Sequence, residues 1–334
     1  MTAPVDLVTR EDIERARERI SGTVRQTPVQ VSTSLSERTG VAVHLKLEHT
    51  QITGSFKFRG ASNAVASLND EERSRGVIGV STGNHGRGLA YAAKTAGAKC
   101  IICMSKLVPQ AKIDGIRAQG AEVRIIGRSQ DEAQLEVDRL VRDEGMTMIP
   151  PFDHRDVIGG QGTLGLEFLE QVPELETVLV PVSGGGLVSG VAAALKAKKP
   201  GIRVVGVSME RGAAMHACLQ AGKPVEVEEL ATLADSLGGG IGLENRFTFA
   251  MTRDLIDDLV LVNETEIAEA IRHIYWQERQ IVEGSGAVGV ATLLSGKVSP
   301  NGVTGVILSG GNIDMTQHHR IISGEDVDVT REVA

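Results

Sequence analysis

The sequence has few cysteines, no excess of positive charge and no long apolar run. Its three cysteines, Cys100, Cys103 and Cys218, have neither the even number nor the density of a disulfide framework. A formal net charge of -8 offers no basic face for nucleic-acid phosphates. No apolar run approaches the roughly 18 residues that span a bilayer, and no basic segment followed by an apolar one opens the chain. We therefore expect a soluble, cytoplasmic protein that binds neither nucleic acid nor membrane.

Cys100 and Cys103 have the Cys-x-x-Cys spacing of a redox or metal half-site. The segment around them, from Lys99 to Ser105, also has the apolar character of a buried strand. Because no second cysteine pair or cysteine-histidine cluster completes a metal site, we interpret both side chains as part of a core.

Glycine is the residue in excess, with 39 of 334 residues, or about 12% where about 7% is usual. These glycines fall largely in short runs after apolar segments. Such runs indicate loops whose backbone lies against a ligand.

Alternating strands and helices make up most of the chain, which has length enough for one large or two ordinary domains. A capping box at Thr9 to Asp12 predicts a helix to about Ile20. The apolar pattern predicts strands at 41–48, 76–80, 100–104, 121–126, 177–182, 204–207 and 302–308. It predicts helices at 87–96, 109–119, 129–142, 163–170, from 187 onward and at 264–280, with a charged turn at 70–75.

This alternation predicts α/β architecture with parallel sheets covered on both faces. We expect two domains that face one cleft, the smaller inserted into the larger. The predicted bounds are 1–53 with 154–324 for the large domain, 54–153 for the small one, and a loose acidic tail at 325–334.

The segment Ser55-Phe-Lys-Phe-Arg-Gly-Ala61 follows the turn-forming pair Thr53-Gly54. A lysine amine becomes nucleophilic at neutral pH when its charged form is disfavoured, and apolar neighbours do this by desolvation. Lys57, between Phe56 and Phe58, is therefore a candidate Schiff-base lysine. The alternative from this segment alone is a surface lysine at the start of a helix.

Two other loops carry polar groups that suit a lysine-bound cofactor. Ser81-Thr-Gly-Asn-His-Gly86 joins a predicted strand to a predicted helix, so its N–H groups suit a carboxylate, and the Asn84 amide can donate to a ring oxygen. An ordinary capped turn is the alternative there. Ser309-Gly-Gly-Asn312 follows the last strand, where a serine hydroxyl can meet a neutral ring nitrogen.

The loop Ser183-Gly-Gly-Gly-Leu187 also lies between an apolar strand and a helix. Three successive glycines leave backbone N–H groups unshielded, which suits a phosphate dianion. The loop lacks the Gly-Lys-Ser/Thr ending of a Walker loop and the spacing of a Rossmann fingerprint. It therefore favours a compact phosphomonoester over a nucleotide.

In this order, the four motifs resemble those of the fold type II pyridoxal-phosphate enzymes, and more narrowly the threonine dehydratase and serine racemase branch. Pro151-Phe-Asp153 and Gly160-Gln-Gly-Thr163 extend the resemblance over nearly the whole chain. The resemblance implies a tryptophan synthase β-like fold of two three-layer domains, with pyridoxal 5'-phosphate in the cleft between them. It also implies a homodimer.

The resemblance implies residue roles as well. Lys57 would carry the cofactor and, with Thr82, act in catalysis. Ser81, Thr82, Gly83 and His85 would surround the substrate carboxylate, and we expect His85 to fix its loop and not to act as a base. The residues implied to bind the cofactor are Phe56, Lys57, Asn84 (to the 3-oxygen), Ser183, Gly184, Gly185, Gly186, Leu187 (around the phosphate) and Ser309 (to the pyridine nitrogen).

Two positions depart from the family pattern. Serine racemases carry a serine where this chain has Thr82, so the added methyl group counts against racemisation. Many relatives carry a glutamate that binds a divalent cation after the strand at 204–207, where this chain has Ser208-Met209-Glu210. A hydroxyl is a poor ligand for a hard cation, so we expect no dedicated metal site.

Two segments, Val207 to Met215 and Leu233 to Leu243, most resemble the hydroxyectoine utilisation dehydratases. This implies dehydration and deamination of a β-hydroxylated diaminobutyrate to a 2-oxo acid and ammonia, with Lys57 or the cofactor phosphate protonating the leaving hydroxyl. The alternatives are an ammonia-lyase for threonine, serine or 3-hydroxyaspartate, an amino-acid racemase, and a non-catalytic cofactor-binding protein. Glu283 and Asp235 are candidates to receive a second substrate amine, although we favour surface or capping roles for both.

Overall fold

A computed structural model of the protein describes residues 7–81, 83–106, 108, 110–325, 327 and 329. The strands are β1 Val29–Ser32, β2 Val43–Lys46, β3 Val77–Val80, β4 Cys100–Met104, β5 Glu122–Ile125, β6 Thr147–Met148, β7 Thr177–Pro181, β8 Arg203–Met209, β9 Asp258–Val262 and β10 Thr304–Ile307. The α-helices of the first half are α1 Arg10–Ile20, α2 Thr33–Thr39, α3 Lys57–Ala66, α4 Asp70–Arg75, α5 Asn84–Thr95, α6 Gln110–Arg117 and α7 Gln130–Glu144. Those of the second half are α8 Arg155–Gln171, α9 Gly186–Lys198, α10 Ala214–Ala221, α11 Thr248–Leu255, α12 Glu264–Trp276, α13 Gly284–Leu294 and α14 Met315–Ile322.

The strands form two sheets. One has six strands in the order β1-β2-β10-β7-β8-β9, and the other has four in the order β5-β4-β3-β6. Every pairing is parallel except that of β1 with β2, which is antiparallel. The prediction of α/β architecture with parallel sheets is confirmed.

Both sheets are covered on both faces, because side chains alternate along each strand. In β7, Leu179 packs into one apolar core while Val178 and Val180 pack into the core on the opposite face. In β4, Cys100 and Cys103 lie on opposite faces of the smaller sheet, each in an apolar core. The two thiols therefore cannot share a ligand, and their interpretation as core residues is confirmed.

Several predicted elements differ from the structure, and two of them differ most. The charged turn at 70–75 is the helix α4, which opens on a capping box between Asn69 and Glu72. Helix α8 begins eight residues earlier than predicted, at Arg155, where the side chain of His154 accepts a hydrogen bond from the Asp156 amide.

The glycines in the first half of α8 are unfavourable to an isolated helix but allow close packing here. A Cβ at Gly160 would come within 2.6 Å of the Arg59 carbonyl in α3, and one at Gly162 within 2.9 Å of the Gly190 carbonyl in α9. Both close approaches are therefore possible only without a side chain. They fix α3, which begins with Lys57, and α9, which follows the glycine loop, against one common helix.

We propose that the two sheets form the cores of the two domains defined above, with bounds 1–53 plus 154–324 and 54–153. Most of the predicted tail, 325–334, lies outside the described residues, but Val327 and Val329 are buried against the core of the six-stranded sheet. Within the described ranges of the chain, no helix is both long enough and apolar enough to cross a membrane.

Candidate active site

One cavity is lined by all nine residues that the sequence assigned to cofactor binding. They come from the start of α3 (Phe56 and Lys57), the start of α5 (Asn84), the β7-α9 loop (183–187) and the end of β10 (Ser309). The other lining residues were not assigned to the cofactor from the sequence: Phe152, Pro181, Ser236, Leu237, Glu283 and Ser285. The cavity therefore brings together four motifs that are far apart in the chain.

Lys57 is the first residue of α3, and its Nζ donates to the Pro151 carbonyl at 2.8 Å. Burial lowers the pKa of this amine to about 8, although the charge of Glu283 opposes the shift. The lysine is thus much closer to its reactive neutral form at neutral pH than a solvated lysine is.

The two neighbouring phenylalanines differ in what they contact. The Phe56 ring centroid lies 5.3 Å from Lys57 Nζ and lines the cavity. Phe58 instead points into the core of the four-stranded sheet, where it packs edge-on against Tyr91. Helix geometry explains this, because side chains two residues apart face different sides. Of these two rings, Phe56 is therefore the one that lies beside the amine.

The β7-α9 loop is shaped by its glycines. Gly185 has φ of 87° and occupies the N-cap of α9, and no side chain caps the helix. A Cβ at Gly184 would come within 2.4 Å of the Phe152 ring, and one at Gly186 within 3.0 Å of the Phe152 backbone. The loop can follow this path only with glycine, and it presents backbone N–H groups and a helix N-terminus to the cavity.

Two serine hydroxyls line the cavity near the end of β10. Ser309 is buried, and its Oγ lies 3.5 Å from the Ser285 carbonyl, at the outer limit of a hydrogen bond. Ser285 Oγ is buried with no hydrogen-bond partner within the described structure. Buried hydroxyls that have no hydrogen-bond partner, or only a weak one, can bond a polar ligand atom.

Asn84 is buried at the first position of α5, and both ends of its amide are engaged. Its Nδ2 donates to Glu283 Oε1 at 2.6 Å, and its Oδ1 accepts from Asn312 Nδ2 at 2.6 Å. A side-chain amide carries two N–H donors, so one remains for a ligand oxygen.

Three of the residues predicted to surround the substrate carboxylate, Ser81, Gly83 and His85, are not among the described residues that line this cavity. Ser81 Oγ instead accepts from the backbone of Gly86 at 2.9 Å and closes the loop on itself. Thr82 lies outside the described residues. His85 is buried and its Nε2 donates to the Ile149 carbonyl at 2.8 Å; burial lowers the pKa of the ring to about 3. The bonded imidazole joins the loop to the Ile149 backbone, and its role in fixing the loop stays a prediction.

Glu283 is not the surface or capping carboxylate that we favoured. It occupies the N-cap of α13, but its side chain makes no capping bond and lines the cavity at 5% exposure. Burial, with a contribution from Asp235, raises the pKa of this carboxyl to about 7. The sequence signal for Glu283 was weak, because only its position after the apolar residue Val282 and before a glycine-rich helix marked it.

Asp235 lies on the surface, as favoured. It pairs with Lys112 across 2.9 Å, which joins α6 to the short 3₁₀ helix Asp235–Leu237. Ser236 and Leu237 of the same short helix line the cavity. The ion pair therefore connects the smaller sheet's layer of helices to one wall of the cavity.

At the end of β8, the residues at the expected cation position have other partners. Ser208 Oγ lies 3.4 Å from Met209 Sδ, and Glu210 pairs with Lys297 at 3.2 Å. No group of three or more potential metal-ligating side chains occurs among the described residues.

The described residues fit pyridoxal phosphate. A glycine loop at a helix N-terminus suits the phosphate, the partnerless Ser285 hydroxyl and the weakly bonded Ser309 hydroxyl can meet polar ring atoms, and Asn84 has a free donor. Lys57 has its amine in the same cavity.

Comparisons with known proteins point to the same family as the four motifs. Residues 20–310 match the family described as pyridoxal-phosphate dependent enzyme. A Sinorhizobium fredii protein that carries the provisional name threonine dehydratase is 60% identical, over 94% of this chain and 95% of its own length. The L-threonine ammonia-lyase of Thermotoga maritima is 41% identical, over 98% of this chain and 81% of its own. The structure of maize serine racemase superposes with a TM-score of 0.89 at 35% identity, covering 95% of this chain and 97% of that one.

Proposed function

The chain belongs to the pyridoxal-phosphate-dependent enzymes of fold type II, in the threonine dehydratase and serine racemase branch, and we propose that it is a lyase that removes water and then ammonia from a β-hydroxy α-amino acid. The products are a 2-oxo acid and ammonia. We further propose a hydroxy-diaminobutyrate derived from opened hydroxyectoine as the substrate. The observation that carries the lyase proposal is the single cavity that contains Lys57, the glycine loop, Asn84 and Ser309.

Bound pyridoxal phosphate withdraws electrons from the substrate Cα and so makes its proton acidic. We assign Lys57 as the residue that carries the cofactor and then, freed by the substrate amine, takes the Cα proton. With a pKa of about 8, its amine has a substantial neutral fraction near neutral pH and can act as this base.

The same lysine can complete the elimination. After it takes the Cα proton, Lys57 is an ammonium, and it donates that proton to the β-hydroxyl as the Cβ–O bond breaks and water leaves. The unsaturated amino acid that is released tautomerises, and water replaces its nitrogen as ammonia. Lys57 ends the cycle neutral, ready to bind the cofactor again.

The other residues bind and orient the cofactor or the substrate. We assign Ser183, Gly184, Gly185, Gly186 and Leu187 to the phosphate, Phe56 to one side of the cofactor, Asn84 to the 3-oxygen and Ser309 to the pyridine nitrogen. A serine hydroxyl leaves that nitrogen neutral, which favours prompt loss of a β-leaving group over a long-lived carbanion. Ser81, Thr82, Gly83 and His85 stay assigned to the substrate carboxylate. The bond of Ser81 to the Gly86 backbone and that of His85 to the Ile149 carbonyl support a positioning role for both.

Support for the diaminobutyrate comes from the segment Leu233 to Leu243, which resembles the hydroxyectoine utilisation dehydratases. Two of its residues, Ser236 and Leu237, line the cavity. The neighbouring Asp235 and the buried Glu283 add carboxylates near the cavity, and such groups complement a second amine on the substrate.

Threonine is the second candidate substrate, and the relatives favour it, since the Thermotoga protein is named for threonine. A racemase is the third, favoured by the maize serine racemase superposition; it would require an acid on the second face of Cα, at Thr82.

The deciding experiment is ammonia release from a matched panel: 3-hydroxy-2,4-diaminobutyrate and its N-acetyl forms, threonine, serine and 3-hydroxyaspartate. We expect the highest kcat/KM with a diaminobutyrate. Preference for threonine, serine or hydroxyaspartate would contradict the substrate assignment, but the assignment as a lyase would stand. Solvent deuterium at Cα of both enantiomers without ammonia would identify a racemase instead.

We also propose that the protein is a cytoplasmic homodimer that requires no divalent cation. Light scattering of the holoenzyme gives the mass in solution, and retention of activity in a chelator tests the absence of a metal requirement.

A further inference from the structure

A second cavity, of about 210 Å³, lies among helices α1, α3, α4 and α5, and its described lining residues are all different from those of the cofactor cavity. Of the ten described residues that line it, five are apolar and five are polar: Arg19, Thr23, Ser62, Arg73 and Thr95. Neither aspartate nor glutamate is among these ten. The cavity therefore combines an apolar wall with hydroxyl and guanidinium groups.

Two polar groups of this cavity are buried without a hydrogen-bond partner. Ser62 is 4% exposed, and its Oγ bonds no atom within the described structure. A serine inside a helix commonly bonds the carbonyl four residues earlier, and Ser62 does not. The Nε of Arg73 is also buried without a partner among the described residues. Because unsatisfied buried polar groups are costly and rare, two of them at one cavity indicate a site for a ligand that accepts hydrogen bonds.

The guanidinium groups at the cavity are only weakly neutralised. The nearest carboxylate to Arg19 is that of Asp156 at 3.6 Å, and the nearest to Arg73 is that of Asp70 at 3.7 Å. Both distances exceed that of a hydrogen bond. All four side chains are about one-third exposed or more, so solvent weakens both ion pairs. Since a guanidinium has five N–H donors, both arginines keep donors for an anionic ligand.

The C-terminal ends of α1, α3 and α5 also border the cavity and oppose an anion. Each such end carries about half a negative charge at most, and the effect falls off within the last turn. The amides of Ser21, Ser67 and Ala96 already bond carbonyls of these turns. The two full guanidinium charges therefore outweigh the helix ends. The apolar half of the lining favours an anion with a hydrocarbon body over phosphate or sulfate.

We propose that this cavity is a second binding site of the enzyme, for a small carboxylate with a short apolar chain. The carboxylate accepts from the unpartnered donors of Ser62 and Arg73, and the chain contacts apolar side chains such as Ile20 and Val65. The inference is independent of the proposed substrate, because the described lining of this cavity contains none of the residues assigned to the cofactor or the substrate.

Calorimetric titration of the holoenzyme with isobutyrate tests the proposal. Isobutyramide has the same shape without the charge, and inorganic phosphate has charge without a hydrocarbon body. In the holoenzyme the cofactor already occupies the glycine loop, so phosphate does not compete there. We expect isobutyrate to bind at least roughly tenfold more tightly than either of the other two, as a charged hydrogen bond in a partly buried site provides.

Two variants locate the binding. Ser62→Leu places a larger apolar side chain in the cavity and should abolish binding of isobutyrate. Arg73→Gln removes a positive charge and should raise the dissociation constant roughly tenfold or more. Both positions lie outside the cofactor cavity, so both variants should retain the cofactor absorbance and turnover. Where Ser62→Leu does not fold, Arg73→Gln decides.

Arg142→Gln is the matched control, because it removes an exposed arginine that pairs with Asp143. This variant should bind isobutyrate as tightly as the wild type does.

Four results would overturn the proposal. A wild type that binds no isobutyrate would show that the cavity takes only water. An unchanged affinity in both variants would place the bound carboxylate elsewhere, the active site included. Equal affinity for isobutyramide would show that charge plays no part, and tighter binding of phosphate would show that the hydrocarbon body plays none.

Discussion

Asn84 Nδ2 and Glu283 Oε1 lie 2.6 Å apart, so the first residue of α5 is joined to the residue before α13. The bond connects a helix packed on the four-stranded sheet to one packed on the six-stranded sheet. Since both side chains line the cavity, the distance between the two sheets and the shape of the site depend on the same contact.

The raised pKa of Glu283 predicts a pH-dependent penalty on folding. Burial raises the pKa of this carboxyl from 4.5 to about 7. Below pH 4.5 the group is protonated in both states and costs nothing; as the pH rises toward 7, the unfolded chain loses the proton more readily, so the folded protein is progressively destabilised. We expect the unfolding free energy of Glu283→Gln to exceed that of the wild type increasingly over this window, by up to about 3 kcal/mol, and to level off above it.

Urea unfolding of the two proteins across this pH range measures the difference. Glu210→Gln controls for the loss of one negative charge at an exposed position. A difference that stays constant with pH would show that the pKa of Glu283 is the same in the folded and unfolded protein.

The sequence predicted most of the site because each of its motifs is local. A glycine run between an apolar strand and a helix, or a lysine at the start of a helix, can be read within a few residues, and all nine predicted cofactor residues line one cavity. Ser285 could not be found in this way, and Glu283 was a candidate for which a surface or capping role was favoured. They reach the cavity because α13 packs beside the end of β10, where Gly310 and Gly286 approach closely, and this packing has no local pattern.

The same contrast between local sequence patterns and tertiary packing explains which helices and strands were predicted correctly. Strand β4 was predicted with its bounds, since five consecutive residues are buried and the apolar run shows it. The start of α8 was missed because glycines within 159–165 disfavour an isolated helix. They are tolerated only because α3 and α9 lie against them, a tertiary effect outside any local window.

Lys57 should react with pyridoxal phosphate at a lower pH than an ordinary lysine. Burial lowers the pKa of its amine from 10.5 to about 8, and only the neutral amine attacks an aldehyde. We expect the rate at which apoenzyme recovers lysine-linked cofactor absorbance to rise with pH and to have its midpoint near 8. Lys57→Ala should show neither the absorbance nor turnover. A midpoint near 10.5 would mean that the amine is solvated.

Arg59 should be one of the most important residues for stability. Its side chain is 1% exposed, donates to both oxygens of the fully buried Glu48 at 2.9 and 2.7 Å, and also pairs with Glu167 at 3.0 Å. Arg59→Met leaves the buried Glu48 carboxylate without its cationic partner, whereas Glu167 keeps Lys46, so we expect a loss of about 3–5 kcal/mol in unfolding free energy.

The control for Arg59 is Arg142→Met, which breaks an exposed pair with Asp143 and should cost less than about 1 kcal/mol. Denaturant unfolding of both variants gives the comparison. If both variants lose the same unfolding free energy, the buried ion pairs of Arg59 do not hold α3 in place.

The Lys112–Asp235 pair should couple weakly and only at low salt. Its two side chains are 39% and 53% exposed, and exposed pairs contribute about 0.2–1 kcal/mol and are screened by salt. A double-mutant cycle of Lys112→Ala and Asp235→Ala, read as unfolding free energy, should give a coupling in that range that vanishes near 1 M salt. A coupling that persists in high salt would mean that the pair is desolvated.

Gly184→Ala should abolish tight binding of the cofactor while the protein stays folded. The added Cβ would lie 2.4 Å from the Phe152 ring, so either the ring or the loop must move, and the N–H groups at the start of α9 would no longer converge on one anion. We expect the dissociation constant for pyridoxal phosphate to rise by a factor on the order of ten or more, since each charged hydrogen bond to the phosphate contributes about 1.5–3 kcal/mol. Gly201→Ala is the matched control, because a Cβ there meets nothing within 4 Å. This variant should bind pyridoxal phosphate as tightly as the wild type does. Equal affinities in all three proteins would place the phosphate away from this loop.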